Sequence, residues 1–150
     1  MHNDKPELLK SHFEDPYHRG ECERPTCGSQ SHDSATGHFI AVQLRIDRDK
    51  IIEEAWFDGV GCWQCEAPAS ILVQFCEGRS IEELGRLDSS FFLALTQLDR
   101  LEFSSSCQLL AWTALRDALC TASQSAELGI DYDSADSSRA FGGPSLGEEA

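Results

Sequence analysis

Positive charge is scarce in this chain: 12 Lys and Arg stand against 26 Asp and Glu, a formal net charge of −14. Such a balance argues against non-specific nucleic-acid binding, which needs Lys and Arg to neutralise phosphates. It argues equally against adsorption to anionic membranes. Long hydrophobic runs are missing too, and no stretch reaches the roughly 18–20 apolar residues of a membrane span. The first ten residues are polar and include Asp4 and Glu7. They lack the apolar stretch of a secretory signal and the Arg-rich, acid-poor character of a transit peptide. The expectation is a cytoplasmic protein with no membrane or nucleic-acid partner, whose acidic surface permits partners with basic docking faces.

What the chain does have is cysteine. Seven occur in 150 residues, of which 41% are hydrophobic, enough for one domain with a modest core. In a reducing cytosol paired structural disulfides are disfavoured, and metal or catalytic roles gain weight. The odd number also fits a fully bridged framework poorly.

Along the chain, Leu8, Leu9 and Phe13 give residues 1–20 the apolar side of a short helix. Asn3 or Asp4 are its candidate caps, Pro6 suits its first turn, and Asp15-Pro16 stops it. Residues 20–37 read as a loop, rich in Ser, Gly and Pro, carrying Cys22, Cys27, His32 and Asp33. From Phe39 the period becomes two, with Val42, Leu44 and Ile46 among Gln43 and Arg45, a half-buried strand. Asp47 to Lys50 is a turn, and Ile51, Ile52, Ala55, Trp56 and Phe57 form a second strand, antiparallel because the connection is so short. Asp58-Gly59-Val60-Gly61 ends it and delivers the chain to Cys62.

A largely buried helix follows from about Pro68 to Cys76. Ser80 and Glu83 have the spacing of a capping box for a short helix over 81–84. Residues 89–98 form a third. Cys107, Leu110, Ala111, Ala114, Leu115 and Ala118 make one apolar stripe, a last helix starting near Cys107, with Ser104 to Ser106 as caps. Residues 1–123 are read as the domain. Residues 124–150, Ser-, Asp- and Gly-rich, are read as an acidic disordered tail.

Cys27, Cys62 and Cys107 stand at loop ends and helix starts, where the thiolate that binds metal is favoured. Cys76 and Cys120 lie mid-element and read as small apolar core residues. Cys65 completes a C-x-x-C with Cys62, which has three open readings. It is half of a zinc site with Cys22 and Cys27, forming an interaction module. Or it is a dithiol oxidoreductase motif on Cys62 and Cys65. Or Cys65 is an accessory thiol beside a site built on Cys62. His32 and His38 lie in reach of such a site, but each reads as a solvated loop histidine. His2, His12 and His18 carry no usable ligand spacing.

Taken in order, these segments resemble the iron–sulfur scaffold family of IscU, SufU and the N-terminal domain of NifU. Residues 9–20, with the aromatic after His12, Asp15-Pro16 and Gly20, resemble the family's opening segment. Arg24-Pro25-Thr26-Cys27-Gly28 resembles its N-P-x-C-G-D loop, and Phe57-Asp58-Gly59-Val60-Gly61-Cys62 its F-x-G-x-G-C strand end. Ala67-Pro68-Ala69-Ser70, Gly78 to Leu84, and Cys107 to Leu115 resemble three further segments, the last closest to the SufU form.

The resemblance implies a small α+β fold, a three-stranded antiparallel sheet with helices on one side and the cysteines gathered at one tip. It implies a scaffold or carrier, without turnover chemistry of its own, that binds a [2Fe–2S] cluster or zinc. Cys27, Cys62 and Cys107 would be the ligands, sulfur would come from a cysteine desulfurase, and cluster-accepting proteins would be the clients. The family's aspartate after C-G is Ser29 here, and the residue before the third cysteine is Ser106. The fourth ligand is therefore open among Cys65, Asp33 and His32, with Cys65 favoured as one helical turn from Cys62.

Overall fold

The computed structural model describes residues 6–127, with side chains to residue 123. A short helix α1 (Glu7–Glu14) opens the chain, followed by strands β1 (Cys27–His32), β2 (Phe39–Ile46) and β3 (Ile52–Val60). Helices α2 (Trp63–Cys76), α3 (Ile81–Gly85), α4 (Ser89–Thr96) and α5 (Leu110–Glu127) complete it, with a 3-10 turn at Leu98–Arg100. The strands form one antiparallel sheet in the order β1-β2-β3. α2 and α5 pack on it, and α1 packs on α2. No described helix is long and apolar enough to cross a membrane.

The β2–β3 hairpin follows its sequence pattern. Ile40, Val42, Leu44 and Phe57 are buried in the core. The turn is held by the Asp47 carboxylate, which accepts from the backbone N–H of Asp49 and Ile51, both at 2.9 Å. β3 runs on through Asp58-Gly59 to Val60, beyond its expected end, because Phe39 and Ile40 pair with Val60 and Gly59.

β1 falls where the composition reads as loop. Cys-Gly-Ser-Gln-Ser-His has no apolar alternation, and it is a strand because β2 offers a free edge to pair with, Cys27 opposite Leu44 and His32 opposite Phe39. The segment before it lies along the other sheet face, where Cys22 N–H donates to Gln43 Oε1 at 2.9 Å.

α1 begins after Pro6 and stops at Asp15, as the proline positions require. Its expected caps Asn3 and Asp4 lie outside the described residues. α2 begins five residues before Pro68, with Cys62 as its N-cap. Pro68 therefore stands inside the helix, where it lacks the N–H for one backbone hydrogen bond, in a turn that Ala67, Ala69, Ser70 and Ile71 bury against the core. Ser80 caps α3, its side chain accepting from Glu83 N–H at 3.0 Å. Gln97, in the left-handed region at φ 66°, caps α4, which ends at Thr96, two residues short of the expected boundary at 98.

α5 starts at Leu110 rather than near Cys107, which sits in a tight turn ahead of it, with Leu110 N–H bonded to Cys107 C=O at 3.2 Å. Cys76 is buried as expected, whereas Cys120 is exposed, lying off the stripe that faces the sheet. α5 extends through residues 124–127, and the remainder of the expected tail lies outside the described residues.

Candidate metal centre

Three segments meet at one end of the sheet. The β1–β2 connection brings His38, the exit of β3 and start of α2 bring Cys62 and Cys65, and the turn ahead of α5 brings Cys107. One ligand atom from each of these four residues lies within 4.8 Å of all the others. Cys62 Sγ and Cys107 Sγ lie 3.5 Å apart. Cys65 and Cys107 are fully buried, while Cys62 and His38 are partly exposed.

Each arm is held by its own hydrogen bonds. Asp33 N–H donates to His38 C=O at 2.8 Å, and the Thr36 hydroxyl accepts from His38 N–H at 3.1 Å, closing the hairpin. Gly61 N–H donates to Glu66 Oε2 at 3.0 Å, and Arg19 grips the other oxygen of Glu66 at 2.6 Å. Gln64 Oε1 accepts from Ser105 N–H and from the Gln108 amide, each at 3.0 Å, tying the start of α2 to the Cys107 turn. Across the top, Asp33 Oδ2 accepts the Ser106 hydroxyl at 2.7 Å and the Thr36 hydroxyl at 2.6 Å. Those two bonds hold the Asp33 carboxyl below its ordinary pKa.

Gly61 is what lets the arms close. A Cβ there would overlap the Cys65 sulfur and lie 3.4 Å from the His38 side chain.

The donor set fits a thiophilic metal on two observations. His38 Nδ1 is buried with no hydrogen-bond partner, a costly condition that a ligand would relieve. Burial also pushes the Cys65 thiol up, and the neighbouring Cys107 and Cys62 sulfurs push the same way. Burial likewise raises Cys107, against the Ser105 hydroxyl at 3.0 Å, which favours its thiolate. Thiolates this crowded need a cation among them, and imidazole with thiolates is a zinc-type set.

Cys62, Cys65 and Cys107 are thus brought together, and Cys27 is not among them. It is buried in the core opposite Leu44. That position is roughly 16 Å along β1 from the end where His38 stands, at the usual rise per strand residue. Burial pushes its thiol up to about 12 and that of Cys22 to about 11. The four-cysteine grouping of Cys22, Cys27, Cys62 and Cys65 is accordingly not assembled. His32 is exposed and stacks on Phe39, with ring centroids 5.4 Å apart. Asp33 is engaged in the loop bonds rather than grouped with the thiols. His38, read from sequence as solvated, is the ligand candidate that composition missed. Its available signal was position, directly ahead of an alternating strand and after Gly37.

The comparisons with known proteins agree with this architecture. Residues 5–126 match the family described as NifU-like N terminal domain. The chain belongs to that family. Among relatives of this NifU-like domain, the iron–sulfur cluster assembly scaffold protein IscU of Haemophilus influenzae is 26% identical over 116 residues, covering 75% of this chain and 90% of its own. The zinc-dependent sulfurtransferase SufU of Bacillus subtilis is 29% identical over 84 residues, covering 51% of this chain and 50% of its own. A crystal structure from Fervidobacterium islandicum AW-1, described as a candidate scaffold for the SUF system, superposes with a TM-score of 0.59 at 16% identity. It covers 77% of this chain and 96% of that one and supports the fold. In this member of the NifU-like family, the loop entering β2 reads Thr36-Gly37-His38, and a second cysteine, Cys65, follows Cys62.

Proposed function

We propose that this chain serves iron–sulfur cluster assembly as a metal-bound acceptor of sulfur from a cysteine desulfurase, on a site made of His38, Cys62, Cys65 and Cys107. The observation that carries the reading is the convergence of one imidazole and three thiols within 4.8 Å, in a chain of the NifU-like family. At a Zn–S distance near 2.3 Å, thiolates on one tetrahedral ion sit about 3.7 Å apart. The Cys62–Cys107 separation of 3.5 Å matches a single ion. A bound zinc ion would hold the cysteines as thiolates.

Cys62, partly exposed where Cys65 and Cys107 are buried, is the thiol an incoming persulfide reaches. Its sulfur attacks the terminal sulfur of the desulfurase persulfide. A new S–S bond forms at Cys62 while the donor's S–S bond breaks, and the donor cysteine leaves as thiolate. Sulfur moves without net oxidation.

A second reading, a scaffold or carrier of a [2Fe–2S] cluster on the same thiols, is favoured by the IscU relative, 90% of whose length is matched. Such clusters are held by thiolates, with imidazole replacing some in one class. Anaerobic purification followed by iron, sulfide and zinc analysis separates the two. Zinc lost in Cys107→Ser and in His38→Ala supports the sulfur acceptor. Iron with equal acid-labile sulfide, lost in the same variants, supports the cluster. Full zinc retention in both variants overturns the site.

A further inference from the structure

Three thiols share one site, and two of them, Cys62 and Cys107, come from segments 45 residues apart in the chain. Cys62 is the N-cap of α2 and Cys107 stands in the turn before α5. Their sulfurs are already at 3.5 Å, so a bond of about 2.05 Å requires only a further 1.5 Å or so of approach. The C-x-x-C partner Cys65 is turned to another task, its thiol donating to Cys62 C=O at 3.3 Å. Its overlap with the space above Gly61 leaves it packed against the backbone.

We infer that Cys62 and Cys107 form a reversible disulfide when the site is metal-free and meets a peroxide, and that this bond excludes metal from the site. The inference concerns regulation of the proposed site and rests on that reading only for its metal consequence.

The chemistry balances with hydrogen peroxide as the oxidant. The Cys62 sulfur, partly exposed, attacks one peroxide oxygen, the O–O bond breaks, and a sulfenic acid and water result. The Cys107 sulfur then displaces the hydroxyl as a second water, leaving the disulfide and two fewer hydrogens on the protein. A bridge between these residues ties α2 to α5 through the arm that carries Cys107. It removes two of four ligands at once. A Cys62–Cys65 bridge would stay within the first turn of α2 and leave Cys107 and His38 in place. Refilling of the metal-free site would then follow thiol oxidation state, with thiol–disulfide exchange reopening it.

Full-length protein, stripped of metal under reducing conditions, desalted and treated with stoichiometric hydrogen peroxide, provides the test. Under non-reducing conditions trypsin should yield peptides 51–79 and 101–116 joined, since no Lys or Arg lies within either segment before its last residue. The cross-link should persist in Cys65→Ser, vanish in Cys62→Ser and in Cys107→Ser, and revert with dithiothreitol. Zinc titration of the oxidised protein should then show at least a tenfold loss of affinity, restored on reduction. A bridge confined to peptide 51–79, a cross-link that survives Cys62→Ser, or no bridge at all overturns the inference. Circular dichroism on each variant separates a missing bond from a missing fold. If reduced protein binds no zinc yet forms the cross-link, the disulfide stands and the metal reading falls.

Discussion

At Gly61 the backbone passes so close to the Cys65 sulfur and the His38 ring that any side chain would occupy the space of a ligand. Gly61→Ala should therefore push Cys65 and His38 apart. We expect overpacking to cost about 1–3 kcal/mol of stability, and metal binding to fall far more than the fold does, measured by zinc titration beside thermal unfolding. A contrasting pair isolates the ligands. His38→Ala should reduce zinc affinity at least tenfold with little change in Tm, because it relieves a buried unpartnered nitrogen. Cys27→Ser should do the opposite. It places a hydroxyl in the core among Leu44 and its neighbours, at about 1–3 kcal/mol where no hydrogen-bond partner exists, and should leave zinc stoichiometry unchanged. Loss of zinc in Cys27→Ser with the fold intact would restore that cysteine to the ligand set.

Between elements, the site depends on contacts that no single segment encodes. Gln64 joins α2 to the turn before α5 by accepting from Ser105 N–H and Gln108. Gln64→Ala strips both bonds and leaves a backbone donor without its partner, so about 1–3 kcal/mol of stability should go. Zinc release to a chelator should quicken severalfold as the Cys107 turn loosens. Unchanged release would mean that the turn is held by the Cys107 side alone. This is also the scale at which reading from sequence succeeded and failed. The β2–β3 hairpin, the Ser80 cap and the α5 stripe are local patterns of two, three and four residues, and each appears near where its pattern stood, α5 starting three residues after Cys107. β1 has no such pattern, being a strand only through its register with β2. Pro68 disguised the start of α2, whose N-cap, Cys62, makes no side-chain capping bond. The site divides the same way. Cys62, Cys65 and Cys107, all singled out in the sequence, lie together with His38, although spacing alone left the part of Cys65 open. Cys27 followed a loop motif whose register only the sheet could supply, and His38 was obscured by its polar, Ser-rich surroundings.

For the molecule as a whole, acid should act through two opposing effects. Protonating carboxylates reduces the self-repulsion of a chain with net charge −14, which favours the compact state. His12 works the other way. Ser70 is fully buried, and its hydroxyl oxygen accepts Tyr17 N–H at 2.7 Å and pairs with His12 Nδ1, also at 2.7 Å. Burial accordingly lowers the His12 pKa from its ordinary 6.5, with Asp15 opposing the shift. Between the lowered folded value and 6.5 the unfolded chain binds more protons, so stability falls as pH drops through that window. The contribution is fully present above 6.5. His12 thereby makes the packing of α1 on α2 sensitive to acid. In His12→Gln this joint no longer titrates, so the difference in Tm between wild type and variant should narrow as pH falls from 7.5 to 5.5. Metal-free protein should be used, because proton competition at the thiols would otherwise add a second pH dependence. A constant difference across that range would remove His12 from the acid response.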